Sequence, residues 1–373
     1  MKMSKKIRTL VSTALISAMV LTMGGMSAFA EEATDLTLVD VKKTVTTDGK
    51  TFAPETIFKF NIEASTIENE TSAEGYVVYT GSDVPANGLT VNDATAFKFE
   101  NDNITNPSDA YEKTGALKVN LNEFTKPGIY HYVLTEVDDK YEGVKYDTTS
   151  YDVYVYIEQD ESGTNKVAMV TGVKKDNGTT VKVNLDFTNE YGSKGNETDI
   201  HNVVIKKVVK GNQGDKQKQF DFDVRVDGTS GEKYYVEYLN ATTGDTVTLV
   251  LTSGESQTIK LKNDQEITIY GLSKSDKVTV DESDYSGDGY TTTYTATGVE
   301  PEEGDELVVK DSANKEDRLV GVTSEDGATI TVTNTKDVSA PTGIVMTFGP
   351  YVLLIALAGV FATLFFRRKR EEF

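Results

Sequence analysis

Val203-Val204-Ile205-Lys206-Lys207-Val208-Val209 decides the fold. The run is short, β-branched and unbroken by Gly or Pro, which is strand composition. Side chains alternate between faces with period two, so Lys207 shares a face with Val203, Ile205 and Val209. A lysine is thereby aimed into an apolar layer. An earlier stretch repeats the scheme. In Val39-Asp40-Val41-Lys42-Lys43-Thr44-Val45, Lys43 shares a face with Val39, Val41 and Val45. Lys42 and Lys206 are the adjacent alternatives. Parity disfavours Lys42, and Lys206 less so because Val204 and Val208 flank it on its own face.

The repetition continues outward. Each half carries an aromatic strand, Phe58-Lys59-Phe60-Asn61-Ile62 and Phe220-Asp221-Phe222-Asp223-Val224. Each has a later strand ending in Glu, at Glu136 and Glu282, and a last strand ending in Thr-Asn, at Asn189 and Asn334. Helical periodicity is nearly absent, and short runs of Val, Thr, Tyr and Phe alternate with Gly, Asn and Asp. This pattern predicts an all-β chain of two tandem sandwiches, over 31–192 and 201–337, joined by a polar, glycine-bearing linker at 193–200.

Parity places Asn189 with Val183, Leu185 and Phe187, Asn334 with Ile330 and Val332, and Glu282 with Val278 and Val280. Glu136 is ambiguous, since both faces of its strand are apolar. Each core is therefore expected to hold a Lys, a Glu and an Asn. Isolated buried charges are costly, and their pKa values move towards the neutral forms. A neutral amine is a nucleophile. A protonated carboxyl can hydrogen-bond an amide oxygen and polarise its carbonyl. With Asn between them, attack by Nζ on the carboxamide would expel ammonia and leave a Lys–Asn amide, with Glu136 and Glu282 moving the protons.

The chain ends set the compartment. Lys2, Lys5, Lys6 and Arg8 precede an apolar run, and Ala28-Phe29-Ala30 supplies a small-residue cleavage site, so 1–30 reads as a secretory signal peptide. The segment 338–373 reads as a sorting signal. Ser339-Ala340-Pro341-Thr342-Gly343 is followed by an uncharged span over 344–366 and by Arg367-Arg368-Lys369-Arg370 within the tail 367–373. Such a span can cross a bilayer, with the basic tail held inside. The membrane is thus a partner of the precursor only. The whole chain carries −21 and, without its two basic ends, −27. Clustered phosphate-binding Lys and Arg are missing, which excludes a nucleic-acid partner. There is no Cys and there are two His, which leaves no ligand set for zinc or copper, and no cofactor motif is present. A secreted chain without Cys must rely on its cores or on another crosslink. No Ser/His/Asp grouping suggests turnover chemistry: His131 lies in a strand, and His201 is assigned to the linker.

These features together resemble the backbone (major) subunits of sortase-assembled Gram-positive pili, of the streptococcal type with two isopeptide-bonded domains. The diagnostic residues are Pro127-Gly128-Ile129-Tyr130 leading to Thr135-Glu136, Tyr146-Asp147-Thr148-Thr149-Ser150-Tyr151, the two Thr-Asn strand ends, and Pro341-Thr342-Gly343. The sorting motif departs from Leu-Pro-x-Thr-Gly, with Pro341 one place late and Ser339 where Leu belongs. The resemblance implies immunoglobulin-like (CnaB-type) sandwiches and bonds Lys43–Asn189 beside Glu136 and Lys207–Asn334 beside Glu282. It implies cleavage by a sortase between Thr342 and Gly343, joining to identical subunits and minor pilins, and anchoring to peptidoglycan at the cell surface. It also implies an acceptor lysine seven residues before the bonding Asn, which is Lys182, with Lys174 and Lys175 as neighbours. An adhesin or stalk protein that is not polymerised is the competing reading.

Overall fold

The computed structural model describes residues 37–67, 76–102, 104–176, 179–192, 200–273, 275–297, 319–321, 328–338 and 351–362. The signal segment 1–30, the linker residues 193–199 and the motif 339–343 lie outside them. Residues 351–362 form a helix. Among the described residues no helix is long and apolar enough to cross a membrane, and the rest of the expected span at 344–366 lies outside them.

Two β-sandwiches follow one another. In the first, one sheet runs in the order Leu89–Val91, Ala110–Val119, Leu38–Thr46, Leu185–Tyr191, Val144–Lys145. The facing sheet runs Thr179–Lys182, Asn165–Asp176, Ser150–Gln159, Gly128–Glu136, Phe60–Ala64. In the second sandwich the sheet orders are Thr246–Thr252, Lys233–Leu239, Glu266–Ser273, Ile200–Lys210, Ala328–Thr335, Thr291–Thr297 and, facing it, Ser256–Leu261, Phe220–Asp227, Lys277–Glu282, Leu319–Gly321. Most pairings are antiparallel. In both sandwiches, however, the first long strand lies parallel to the last and beside it. Parallel neighbours cannot be joined by a hairpin, so the rest of each sandwich forms the crossover between them.

The alternation read from sequence holds in the strands that matter. Val41, Lys43 and Val45 are buried, as are Val203, Ile205, Lys207 and Val209. Lys42 and Lys206 point out and pair with Glu112 at 2.5 Å and Glu266 at 2.9 Å. The strand Gly128–Glu136 is apolar on both faces for a structural reason. Tyr130, Tyr132 and Leu134 enter the sandwich core, while Ile129 joins a separate outer cluster with Val78, Tyr154, Tyr156 and Val173. His131 is buried on that outer side, stacked on Tyr154 at 4.2 Å and 2.9 Å from Asp152.

Three sequence expectations are corrected. His201 is not in the linker; it is buried in the strand Ile200–Lys210. Ile200 likewise opens that strand rather than ending the linker, because its side chain packs into the first sandwich's core. Val183 does not continue the Asn189 strand: Thr179–Lys182 and Leu185–Tyr191 belong to different sheets, and the chain crosses between them at Val183-Asn184. The two sandwiches also touch directly. Tyr141 donates to Glu232 at 2.5 Å, and Lys50 pairs with Glu237.

Candidate functional site

Register explains how a lysine and an asparagine on separate strands meet. Lys43 lies opposite Phe187, and Asn189 lies two residues on, opposite Val45. In the second sandwich Lys207 lies opposite Val332, and Asn334 lies opposite Val209. The offset is the same. Two residues keep the side chains on one face, and a lysine is long enough to reach along that diagonal. The Glu comes from the facing sheet in both cases, as the last residue of its strand. Two sheets thus close three polar groups inside an apolar layer.

The first site is fully connected. Lys43, Glu136 and Asn189 have no exposed side-chain surface. Lys43 Nζ lies 2.8 Å from Glu136 Oε1 and donates to Oε2 at 2.9 Å. Asn189 Nδ2 donates to Glu136 Oε1 at 2.9 Å. The amine and the carboxamide therefore stand no farther apart than two hydrogen bonds laid end to end. Asn189 Oδ1 accepts the backbone N–H of Asp147 at 2.8 Å. A backbone N–H can only donate, so the oxygen must face it and the NH₂ must face Glu136. This differs from the sequence expectation, in which the Glu holds the amide oxygen. The oxygen is already taken, so Glu136 meets the leaving nitrogen instead. Phe58 supplies an aromatic wall 4.8 Å from Lys43 Nζ.

The second site has the same groups, more loosely held. Lys207 Nζ is 2.6 Å from Glu282 Oε1, with neither side chain exposed. Thr292 Oγ1 donates to Glu282 Oε2 at 3.2 Å. The contact between Lys207 and Glu282 is not aligned as a hydrogen bond, and the buried carboxamide of Asn334 makes none among the described residues. Unmet buried polar groups are rare and raise the energy of the unreacted state. Phe220 lies 4.1 Å from Lys207 Nζ and Phe222 5.7 Å.

Burial acts on both partners in the same sense. It pushes Lys43 down and Glu136 up, each opposed by the charge of the other. Burial takes Lys207 down to about 8 and raises Glu282. Both pairs are thus shifted towards amine and acid, the forms that nucleophilic attack requires.

One test follows from Lys207. In Asn334→Ala the amine cannot be consumed, and its folded pKa of about 8 lies below its ordinary 10.5. Between those values the unfolded chain holds more protons, so stability should rise with pH across that window. The parent chain, if its nitrogen is an amide, should lack the rise. Urea denaturation at several pH values reads the difference.

Sequence reasoning missed three groups here: the N–H of Asp147, the hydroxyl of Thr292 and the aromatic walls. Asp147-Thr148-Thr149 has the Asx-turn pattern, which was a legible signal for the first. Lys182 is exposed, at the end of an edge strand. Lys174 is exposed as well. The side chain of Lys175 and the residues Pro341, Thr342 and Gly343 fall outside the description.

In each of two successive sandwiches a buried Lys on the first strand and a buried Asn on the last are closed over by a Glu from the facing sheet, the set of groups that an intramolecular isopeptide bond needs. Residues 39–192 match the family model of the Spy0128-like isopeptide containing domain, and 201–336 match a domain of unknown function. The chain is 30% identical to a pilin of Streptococcus pyogenes serotype M1 over 85% of its own length and 86% of that protein's. It belongs to the streptococcal-type major pilin family. The crystal structure of the major pilin from S. pyogenes matches with a TM-score of 0.56 at 25% identity, over 82% of this chain and all of that one. The T3.2 major pilin of S. pyogenes shares the fold, with a TM-score of 0.57 at 23% identity, over 82% of this chain and 99% of that one.

Proposed function

We propose that this chain is the shaft subunit of a covalent cell-surface pilus, built from sandwich domains at 31–192 and 201–337 that each weld themselves by a Lys–Asn amide. The observation that carries the reading is the pair of buried trios held at one register. Lys43 Nζ, as the neutral amine, attacks Asn189 Cγ while Glu136 carries its proton. Glu136 gives that proton to Nδ2, the Cγ–Nδ2 bond breaks and ammonia leaves, and the carboxylate takes back the proton that the attacking nitrogen sheds. The product is a secondary amide, and the carboxyl returns to its starting state. Lys207, Glu282 and Asn334 do the same. Each bond forms once per chain, so the protein is not a turnover enzyme.

Assembly is read from the ends. A sortase would cut between Thr342 and Gly343 within 338–373, then join the Thr342 carbonyl to Lys182 of the next copy or, at the base, to peptidoglycan. Lys182 supports this by its exposure and by its position on the rim of a groove of about 400 Å³ lined by Val39, Lys42, Val183 and Leu185. Minor pilins would join the same polymer.

The test is the wall fraction, released with muramidase and boiled in detergent. A ladder of polymers is expected. Lys182→Ala should reduce it to monomer, while Lys174→Ala should leave it intact. One wall-bound species from the unaltered chain would instead support a stalk protein that is not polymerised. A ladder that survives Lys182→Ala would remove Lys182 as the acceptor.

A further inference from the structure

The first trio has a fourth member with no counterpart among the described residues of the second. Asp147 sits in the loop between the strands Val144–Lys145 and Ser150–Gln159. Its backbone N–H points at Asn189 Oδ1, 2.8 Å away. Its own carboxylate fixes that aim. Oδ2 accepts the N–H of Thr188 at 2.7 Å, and Thr188 is the residue before Asn189. Oδ1 accepts the N–H of Thr149 at 2.8 Å, closing the turn. The side chain thus ties the loop to the strand that carries the reacting carboxamide. At the second site Asn334 Oδ1 has no hydrogen-bond partner among the described residues.

We infer that Asp147 supplies the oxyanion donor of the first crosslink: its backbone N–H holds the oxygen of Asn189 as charge gathers there, and its carboxylate positions the loop. This rests on the crosslinking reading above. When Lys43 Nζ adds to Asn189 Cγ, the C=O electron pair moves onto Oδ1. A donor already aimed at that oxygen gains strength as the charge grows, and no reorganisation is needed at that moment. The 2.8 Å separation lies in the range such donors occupy. Glu136 faces the nitrogen side and cannot serve the oxygen at the same time. The carbonyl returns when ammonia leaves, so no further reactant is required.

The experiment follows both crosslinks in one full-length chain after pulsed synthesis, by mapping the joined peptides over time. Asp147→Ala should slow the Lys43–Asn189 bond by about tenfold, less than the roughly 10²–10³ that follows loss of an oxyanion donor itself, because the N–H remains and only its aim is lost. The Lys207–Asn334 bond should keep its rate and serves as the internal clock. Asp147→Asn retains one acceptor and should recover part of the rate, which a general loss of folding would not produce. If the first bond keeps pace in Asp147→Ala, the inference is overturned. If that chain does not fold, the amide proton of Asp147 is compared in Lys43→Met and Lys43→Met/Asn189→Leu chains, neither of which can crosslink. A shift upfield and faster exchange on removing Asn189 support the inference, and no change overturns it. An unaltered chain that never joins Lys43 to Asn189 would instead remove the crosslink itself.

Discussion

Asn189→Ala should lower the stability of the first sandwich by about 5 kcal/mol, the chain-entropy value for a closed loop of this length. Lys43 and Asn189 stand 146 positions apart, and Lys207 and Asn334 stand 127 apart. Closure cost grows only with the logarithm of loop length, so the two bonds should contribute alike. For a domain of this size the loss corresponds to a fall in Tm of about 10–20 °C. Glu136→Ala should cost more than Asn189→Ala. It prevents the bond and also leaves Lys43 buried without its acid, a fault that costs about 3–5 kcal/mol in other buried pairs. Calorimetry of the two variants, with the second sandwich as an unaltered reference transition, reads both. If both variants melt with the parent, the first crosslink does not form.

The second large effect is mechanical, and it separates the two bonds. The strands Ile200–Lys210 and Ala328–Thr335 are parallel. A chain entering at one and leaving by the other is pulled from opposite ends of that ladder. A load applied between Lys182 and Thr342 therefore shears the second sandwich unless a covalent bond carries it. The first sandwich is placed differently. Lys182 and the exit at Gly192 both lie on the last stretch of that domain, so the load runs along Leu185–Tyr191 and largely avoids Lys43. Pulled from those two points, Glu282→Ala should open and lengthen by roughly 400 Å, at about 3.3–3.6 Å per released residue. Glu136→Ala should show no such step. Single-molecule stretching reads the lengths. Equal behaviour of the two variants would contradict this load path.

Much of this was legible in the sequence because strand parity is a strong rule when one face is apolar. Lys207 shares its face with Val203, Ile205 and Val209 and does point inward, although Val204 and Val208 left Lys206 open as the alternative. Glu136 was harder. Its strand packs Ile129 and His131 on the outer face as well, so alternation carried no sign there. The break at Val183-Asn184 was hidden, since a chain changing sheets can keep its composition. Ile200 and His201 looked like linker because they follow a polar run, yet the neighbouring sandwich supplies the apolar surface that buries Ile200. The donor at Asp147 was only half legible, since Asp147-Thr148-Thr149 signals a turn but not what the turn meets. It is a backbone group, and only the folded loop brings it to Asn189.

The most direct measurement is the intact mass of residues 31–338, with fragment mapping of the joined peptides. A mass lower than the sequence value by two ammonia molecules is expected, with Lys43 found on Asn189 and Lys207 on Asn334. One loss should disappear in Glu136→Ala and the other in Glu282→Ala. A mass equal to the sequence value in the folded parent chain would contradict the account at its root.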